Sequence, residues 1–292
     1  MIILRHAVPG LVAALVLAAR VPAVQEDPLR VATLVPCVEG AVDALGSQAE
    51  LVATVRTSPA QPIGGGVRDL GNPHSPTLEM LEAARADVVV IDGIVHARLQ
   101  GRLQQMGLRV LSLDTQSVDG TLDSLSKLGD WSPDGTALAK EIGRVRSVLE
   151  SRKLRRPTKS LALFVAPGTP MVVTSRTWLG DLIQRLGFEN AAEDISGGER
   201  FPGFITVSDE VISTLTPEVI LLVAHGQPEG IRDSFMKRMH ANGVWRSAAE
   251  SAGENVVVLD PALFSVNPCL EFPRAADWLL EHVEVKSAKS AP

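Results

Sequence analysis

Two histidines hold the donor atoms best placed in the sequence to do chemistry. His74 stands in Gly71-Asn72-Pro73-His74-Ser75-Pro76, and His225 in Ala224-His225-Gly226-Gln227-Pro228. Prolines on both sides stiffen the first loop ahead of an expected helix, so the His74 imidazole is expected to project outward rather than pack. His225 follows the apolar run 219–223, an expected buried strand, and so sits at a strand end. Neutral imidazole is a common metal ligand, and two of them facing each other across a cleft can grip a single metal. For either residue alone the plainer reading is a turn histidine bonded to backbone. It is their matching placement in two halves of the chain that argues for joint ligation.

Other chemistries lack their motifs. Metal-assisted hydrolysis needs an open coordination position and a third, suitably spaced ligand. The chain has no HExxH and no G-x-S-x-G, and Gly64-Gly65-Gly66 is not followed by the Lys-Ser/Thr of a phosphate loop. A metal-dependent hydrolase is therefore the weakest reading, and the chain is expected not to be an enzyme. A net charge of −6 gives no reason to expect nucleic acid as a partner, since phosphate binding needs a basic face.

The elements that must position the histidines follow from length and pattern. A chain of 292 residues, 45% hydrophobic and 21% charged, suits two lobes that each bury a core. From Arg30 onward, short Val- and Leu-rich runs at 31–35, 51–55, 87–91, 110–113, 161–165, 219–223 and 256–259 alternate with helical patterns. The first such helix ends at Gly46. Uniformly apolar runs of this length predict parallel strands buried on both faces. Between the halves, apolar residues at Leu138, Ile142, Val145 and Leu149 mark a connecting helix over 132–156, with Ser132 as N-cap and Pro133 in the first turn. A helix of about twenty residues spans roughly 30 Å and would limit hinge bending. The N-terminal lobe is expected over 28–131 and the C-terminal lobe over 158–285.

Residues 1–24 read as a secretory signal: Arg5 and His6, then an apolar run from Val8, then small residues near Val21-Pro22-Ala23. The mature chain is thus expected to be extracytoplasmic, beginning near Gln25. The two cysteines, Cys37 and Cys269, fall in different halves. A bond between them would lock the halves together, so both are expected as free, buried thiols.

An internal echo relates the halves. Thr77-Leu78-Glu79-Met80-Leu81 with Asp87-Val88-Val89-Val90 recurs as Ser208-Asp209-Glu210-Val211-Ile212 with Glu218-Val219-Ile220-Leu221. Each copy is a polar cap, a glutamate in the first helical turn, then a strand.

This order resembles the solute-binding proteins of ABC importers whose lobes are joined by a rigid helix, the class that carries cobalamin, ferric siderophores and haem. The resemblance covers nearly the whole mature chain, from Arg30 to about Leu280. It implies two Rossmann-like α/β lobes with parallel sheets joined by one long helix, acting as a periplasmic monomer. Gly71-Asn72-Pro73-His74-Ser75-Pro76 is similar to the Gly-Asn-Pro-Met-x-Pro segment of the Gram-positive haem-uptake lipoproteins. His225-Gly226-Gln227-Pro228, with Phe235, Asn242 and Trp245 beyond, is similar to their His-Gly-x-Pro segment. There the methionine and the histidine are the axial ligands of haem iron. Here His225 matches directly and His74 replaces the methionine, and imidazole is also a haem ligand. The lipid-attachment cysteine of those relatives is absent, which favours a freely diffusing periplasmic form.

The resemblance further implies haem as transported ligand, with Phe201, Phe204 and Phe264 as ring-packing candidates and Arg68, Arg98, Arg176 and Arg200 as partners for its propionates. His96 is expected as a helix-start histidine at the cleft rim, with donation to a propionate or substitute ligation as the alternative. No tyrosine exists to ligate iron. Glu79 and Glu210 match the glutamates that pair with arginines of an ABC permease, one per lobe. Cobalamin or a ferric siderophore is the alternative cargo; a corrinoid would use one histidine and gives no reason for two.

Overall fold

In chain order, the N-terminal half contains β1 (Leu29–Thr33), α1 (Glu39–Leu45), β2 (Ala49–Thr54), β3 (Arg68–Asp69), β4 (Gly71–Asn72), β5 (Ser75–Pro76), α2 (Leu78–Ala83), β6 (Val88–Asp92), α3 (Gln100–Gln105) and β7 (Arg109–Leu113). These come from a computed structural model that describes residues 27–56, 62–165, 171–195, 197–224, 230–241, 243–253 and 255–289. The expected signal segment and His225 lie outside the described residues. Strands β3-β2-β1-β6-β7 form one sheet in that order, every pairing parallel. The separate ribbon β4-β5 is antiparallel.

Two helices follow, α4 (Val118–Trp131) and α5 (Thr136–Ser151). The connecting helix is therefore shorter than 132–156. Ser132 caps the end of α4 and does not start α5, whose N-cap is Gly135. The helices meet at a glycine pair, because a Cβ on Gly135 would stand 2.6 Å from the Gly129 carbonyl oxygen. Leu138, Ile142, Val145 and Leu149 are the buried face of α5, as their spacing predicts.

The C-terminal half contains β8 (Thr158–Val165), β9 (Met171–Val173), α6 (Trp178–Arg185), β10 (Phe188–Asn190), β11 (Gly198–Phe201), β12 (Phe204–Thr206), α7 (Asp209–Thr214), β13 (Val219–Ala224), α8 (Ile231–Ala241), α9 (Gly243–Ser251), β14 (Val256–Val258), α10 (Pro261–Phe264) and α11 (Phe272–Lys289). Its sheet runs β11-β12-β9-β8-β13-β14, with β10 beside the start of β8. The β8-β13-β14 core and β10 are parallel, but β9, β12 and β11 extend it antiparallel. This lobe is thus a mixed sheet rather than wholly parallel.

Alternation along the strands divides the core. Val88 and Val90 face one apolar cluster, while Val89 and Ile91 face another. The first cluster is shared by both halves: it takes in Val31, then Leu122, Leu138 and Val145 of the helical pair, then Leu221 and Val257. Ile220 and Leu222 face a third cluster on the outer side of the C-terminal sheet.

The cysteines are not free thiols. Cys37 and Cys269 are bonded, with their Cα atoms 5.6 Å apart. After β14 the chain turns back, and a short 3-10 turn at Cys269–Glu271 packs against the start of α1 and against α4 and α5. That return carries Cys269 to the N-terminal half, so the two thiols meet although their flanking strands belong to different sheets.

Candidate functional site

The strands of the N-terminal sheet end at one edge, and the loops leaving that edge face the C-terminal half across a cavity of about 480 Å³. This is where an open α/β sheet binds ligands, outside the carboxyl ends of its strands, and the size is that of a small-molecule site. Leu34, Val35 and Pro36 follow β1, Ile94 and Val95 follow β6, and Thr115 and Gln116 follow β7. The opposite wall is aromatic and apolar: Phe164, Met171, Trp178, Phe201 and Phe204, with Ser265, Val266 and Asn267 from the return segment.

This second wall is braced from behind. Phe164 and Phe204 meet edge to face at 5.8 Å. Trp178 is the first residue of α6, whose N-cap Thr177 accepts a hydrogen bond from the Gly180 N–H at 3.0 Å. A side chain at Gly180 would fall 1.9 Å from the Thr174 carbonyl oxygen, so only glycine lets α6 begin there. The β11-β12 hairpin carries Phe201 and Pro202 to the mouth through Gly203, whose φ of 81° suits glycine.

The sequence-predicted residues divide. His74 is exposed, in the turn of the β4-β5 ribbon, and lines the cavity; its N–H donates to Asn72 Oδ1 at 2.8 Å. Phe201 and Phe204 line the opposite wall, Phe201 being 52% exposed. Phe264 does not line the cavity. It is buried one layer back, its ring stacked against Trp178 at 6.5 Å and edge to face with Trp278 at 5.4 Å. It supports the cleft aromatic instead of being one, because α10 turns it into the core. Arg176 lines the cavity and forms an ion pair with Glu199 at 3.0 Å, whereas Arg68 and Arg98 are exposed away from it. Of Arg200 only the backbone, in β11, is described.

His96 lines the cavity but is buried, 4% exposed. Its Nδ1 faces the Asp92 N–H at 3.0 Å and its Nε2 the Pro73 carbonyl at 2.8 Å. Burial holds its pKa below the ordinary value; the Pro73 carbonyl and Asp92 pull it up, and His74 pushes it down. Asp92 in turn accepts from the Ile94 and Val95 N–H groups and from the Thr115 hydroxyl at 2.7 Å.

Glu79 and Glu210 are each the second residue of their helices, α2 and α7, and both are exposed. Trp178 and Met171 were missed from sequence. The signal for Trp178 is Thr177, an N-cap placing the next side chain at the sheet edge; Met171 has no comparable signal in the sequence around it. Among the described residues no three His, Cys, Asp or Glu side chains gather as a metal site, and no helix is long and apolar enough to cross a membrane.

Known proteins share this fold. The high-affinity heme uptake system protein IsdE of Staphylococcus aureus is 25% identical over 221 residues, 74% of each chain. Its crystal structure complexed with heme matches with a TM-score of 0.71 at 21% identity, over 87% of this chain and 98% of that one. An ABC transporter substrate-binding protein from Listeria monocytogenes matches at 0.76 and 22% identity, over 87% and 98%. The periplasmic vitamin B12 binding protein BtuF of Vibrio cholerae matches at 0.65 and 17% identity, over 91% and 99%. A family model described as periplasmic binding protein matches residues 31–262. With two α/β halves, a cleft at the strand ends and that match over most of its length, this chain belongs to the periplasmic binding protein family.

Proposed function

We propose that this protein captures haem in the cleft outside the cytoplasm, holds its iron between His74 and His225, and delivers it to an ABC permease. The observation that carries the reading is the pairing of an exposed imidazole, His74, on one wall with an apolar aromatic wall opposite. A flat apolar macrocycle gains most of its binding free energy by leaving water against Trp178, Phe201 and Phe204. A nitrogen donor then selects the metallated ring over the free one and fixes its orientation. His225 follows directly on Ala224, and Val223 of the same strand pairs with the cleft residue Phe164, which supports a ligand from the C-terminal side. Arg176 is the cleft cation for a propionate, exchanging part of its bond to Glu199. The sequence relationship to a heme uptake protein supports the same cargo.

Nothing in this scheme requires a covalent change in the ligand. The protein acts as a monomer, and Glu79 and Glu210 are the proposed contacts to the permease, one on each half.

Titration with haemin, followed by absorption and electron paramagnetic resonance, tests the reading. The wild type is expected to give a low-spin spectrum that is lost in both His74→Ala and His225→Ala. A colourless wild type that instead binds cobalamin would replace haem with the corrinoid reading, which the similarity to a vitamin B12 binding protein keeps in view.

A further inference from the structure

Among the described residues His96 is the only buried histidine, and the ligand reading gives it no task. Its two ring nitrogens have different partners. Nδ1 lies 3.0 Å from the Asp92 N–H, which can only donate, so Nδ1 must accept. A neutral imidazole then carries its proton on Nε2, which donates to the Pro73 carbonyl at 2.8 Å. The opposite tautomer would set two donors against each other and two acceptors against each other.

The Pro73 carbonyl belongs to the peptide group that joins Pro73 to His74. The other end of that planar group, the His74 N–H, donates to Asn72 Oδ1 at 2.8 Å. Both edges of one peptide plane are thus held, and that plane sets where the His74 Cα and its side chain stand. The ribbon needs such a brace. Strands β4 and β5 are two residues each, far too short to stay paired by themselves. His96, in contrast, stands on a firm base. The turn that carries it is tied through the Asp92 carboxylate to two backbone N–H groups and to Thr115 beyond β7.

We propose that His96 is a positioning residue: through the Pro73–His74 peptide it fixes the direction from which His74 reaches the metal of the ligand. This rests on the reading of His74 as a ligand. His96 itself does not bind the metal, since both of its nitrogens are already engaged by backbone groups.

Two variants separate positioning from packing. In His96→Gln the amide nitrogen takes the place of Nε2 and keeps the bond to Pro73. In His96→Asn the amide oxygen takes the place of Nδ1, keeping the bond from Asp92 and losing Pro73. Amide hydrogen exchange of the His74 N–H in the ligand-free protein is expected to quicken about tenfold in His96→Asn and to stay within about twofold of wild type in His96→Gln, the scale of one hydrogen bond. Haemin release should follow the same order. Equal exchange in the two variants would overturn the proposal, because loss of packing affects both alike. A haemin spectrum unchanged in His74→Ala would instead overturn the ligand reading, and the exchange experiment, which uses no haemin, keeps the two failures apart.

Discussion

Burial makes the His96 ring easier to fold neutral than charged, and the consequence for stability has a definite sign. Its folded pKa lies below the ordinary histidine value, chiefly through desolvation, with His74 adding and Pro73 and Asp92 opposing. Between that lowered value and about 6.5 the unfolded chain binds a proton that the folded chain does not, so stability falls as pH drops through this window. Above the window the ring is neutral in both states and contributes no slope. Urea unfolding of the ligand-free protein from about pH 7.5 down to 5.5 is expected to show the loss, and His96→Gln to flatten it. The carboxylates held low, such as Asp69 by the Gly71 N–H and Glu141 by Arg144, act only at more acid pH, where their bonds are lost on protonation. The place of His74 at the cleft was legible because prolines bracket it and a family segment surrounds it. The work of His96 was not, since its partner Pro73 is 23 residues away and no local pattern announces the bond.

Two helix starts, α2 and α7, present Glu79 and Glu210 at equivalent second positions, followed by the strands β6 and β13. A carboxylate in a first turn offsets the helix dipole, worth about 0.3–1 kcal/mol at an exposed site. If that were their whole role, removing both would lower stability slightly and leave transport alone. With docking, Glu79→Ala combined with Glu210→Ala should abolish haem uptake in cells that depend on this protein while haemin binding stays at the wild-type level. Uptake that persists would remove the docking assignment. This repeat, and the strands around it, could be read from sequence because four or five Val, Leu and Ile residues in a row have few other uses. The short strands β9 to β12 could not, being three or four residues long and held by their neighbours rather than by their own pattern. The split between α4 and α5 also escaped, since Gly129 and Gly135 matter only once the helices pack.

At the scale of the molecule, one apolar cluster continues from the first sheet through α4 and α5 into the second, so large separations of the halves would expose core. The Cys37–Cys269 bond reinforces that limit at the return segment, next to Pro36, Val266 and Asn267 of the cleft. Such a bond forms and persists in oxidising surroundings, in keeping with a protein that works outside the cytoplasm. Its loss in a Cys37→Ser, Cys269→Ser double variant is expected to cost about 2–5 kcal/mol of unfolding free energy. Dithiothreitol should lower the Tm of the wild type towards that of the variant and leave the variant unchanged; equal melting of oxidised and reduced wild type would remove this role. The pairing was hidden from sequence because it depends on the chain turning back after β14, a tertiary event.

The bonded cysteines are 232 positions apart, which makes most of the polypeptide a closed ring. A single proteolytic nick within the ring opens it without parting the pieces, and the shared apolar cluster still holds them in register. For a carrier exposed to the proteases of its surroundings, that means one severed loop need not cost the molecule its cargo.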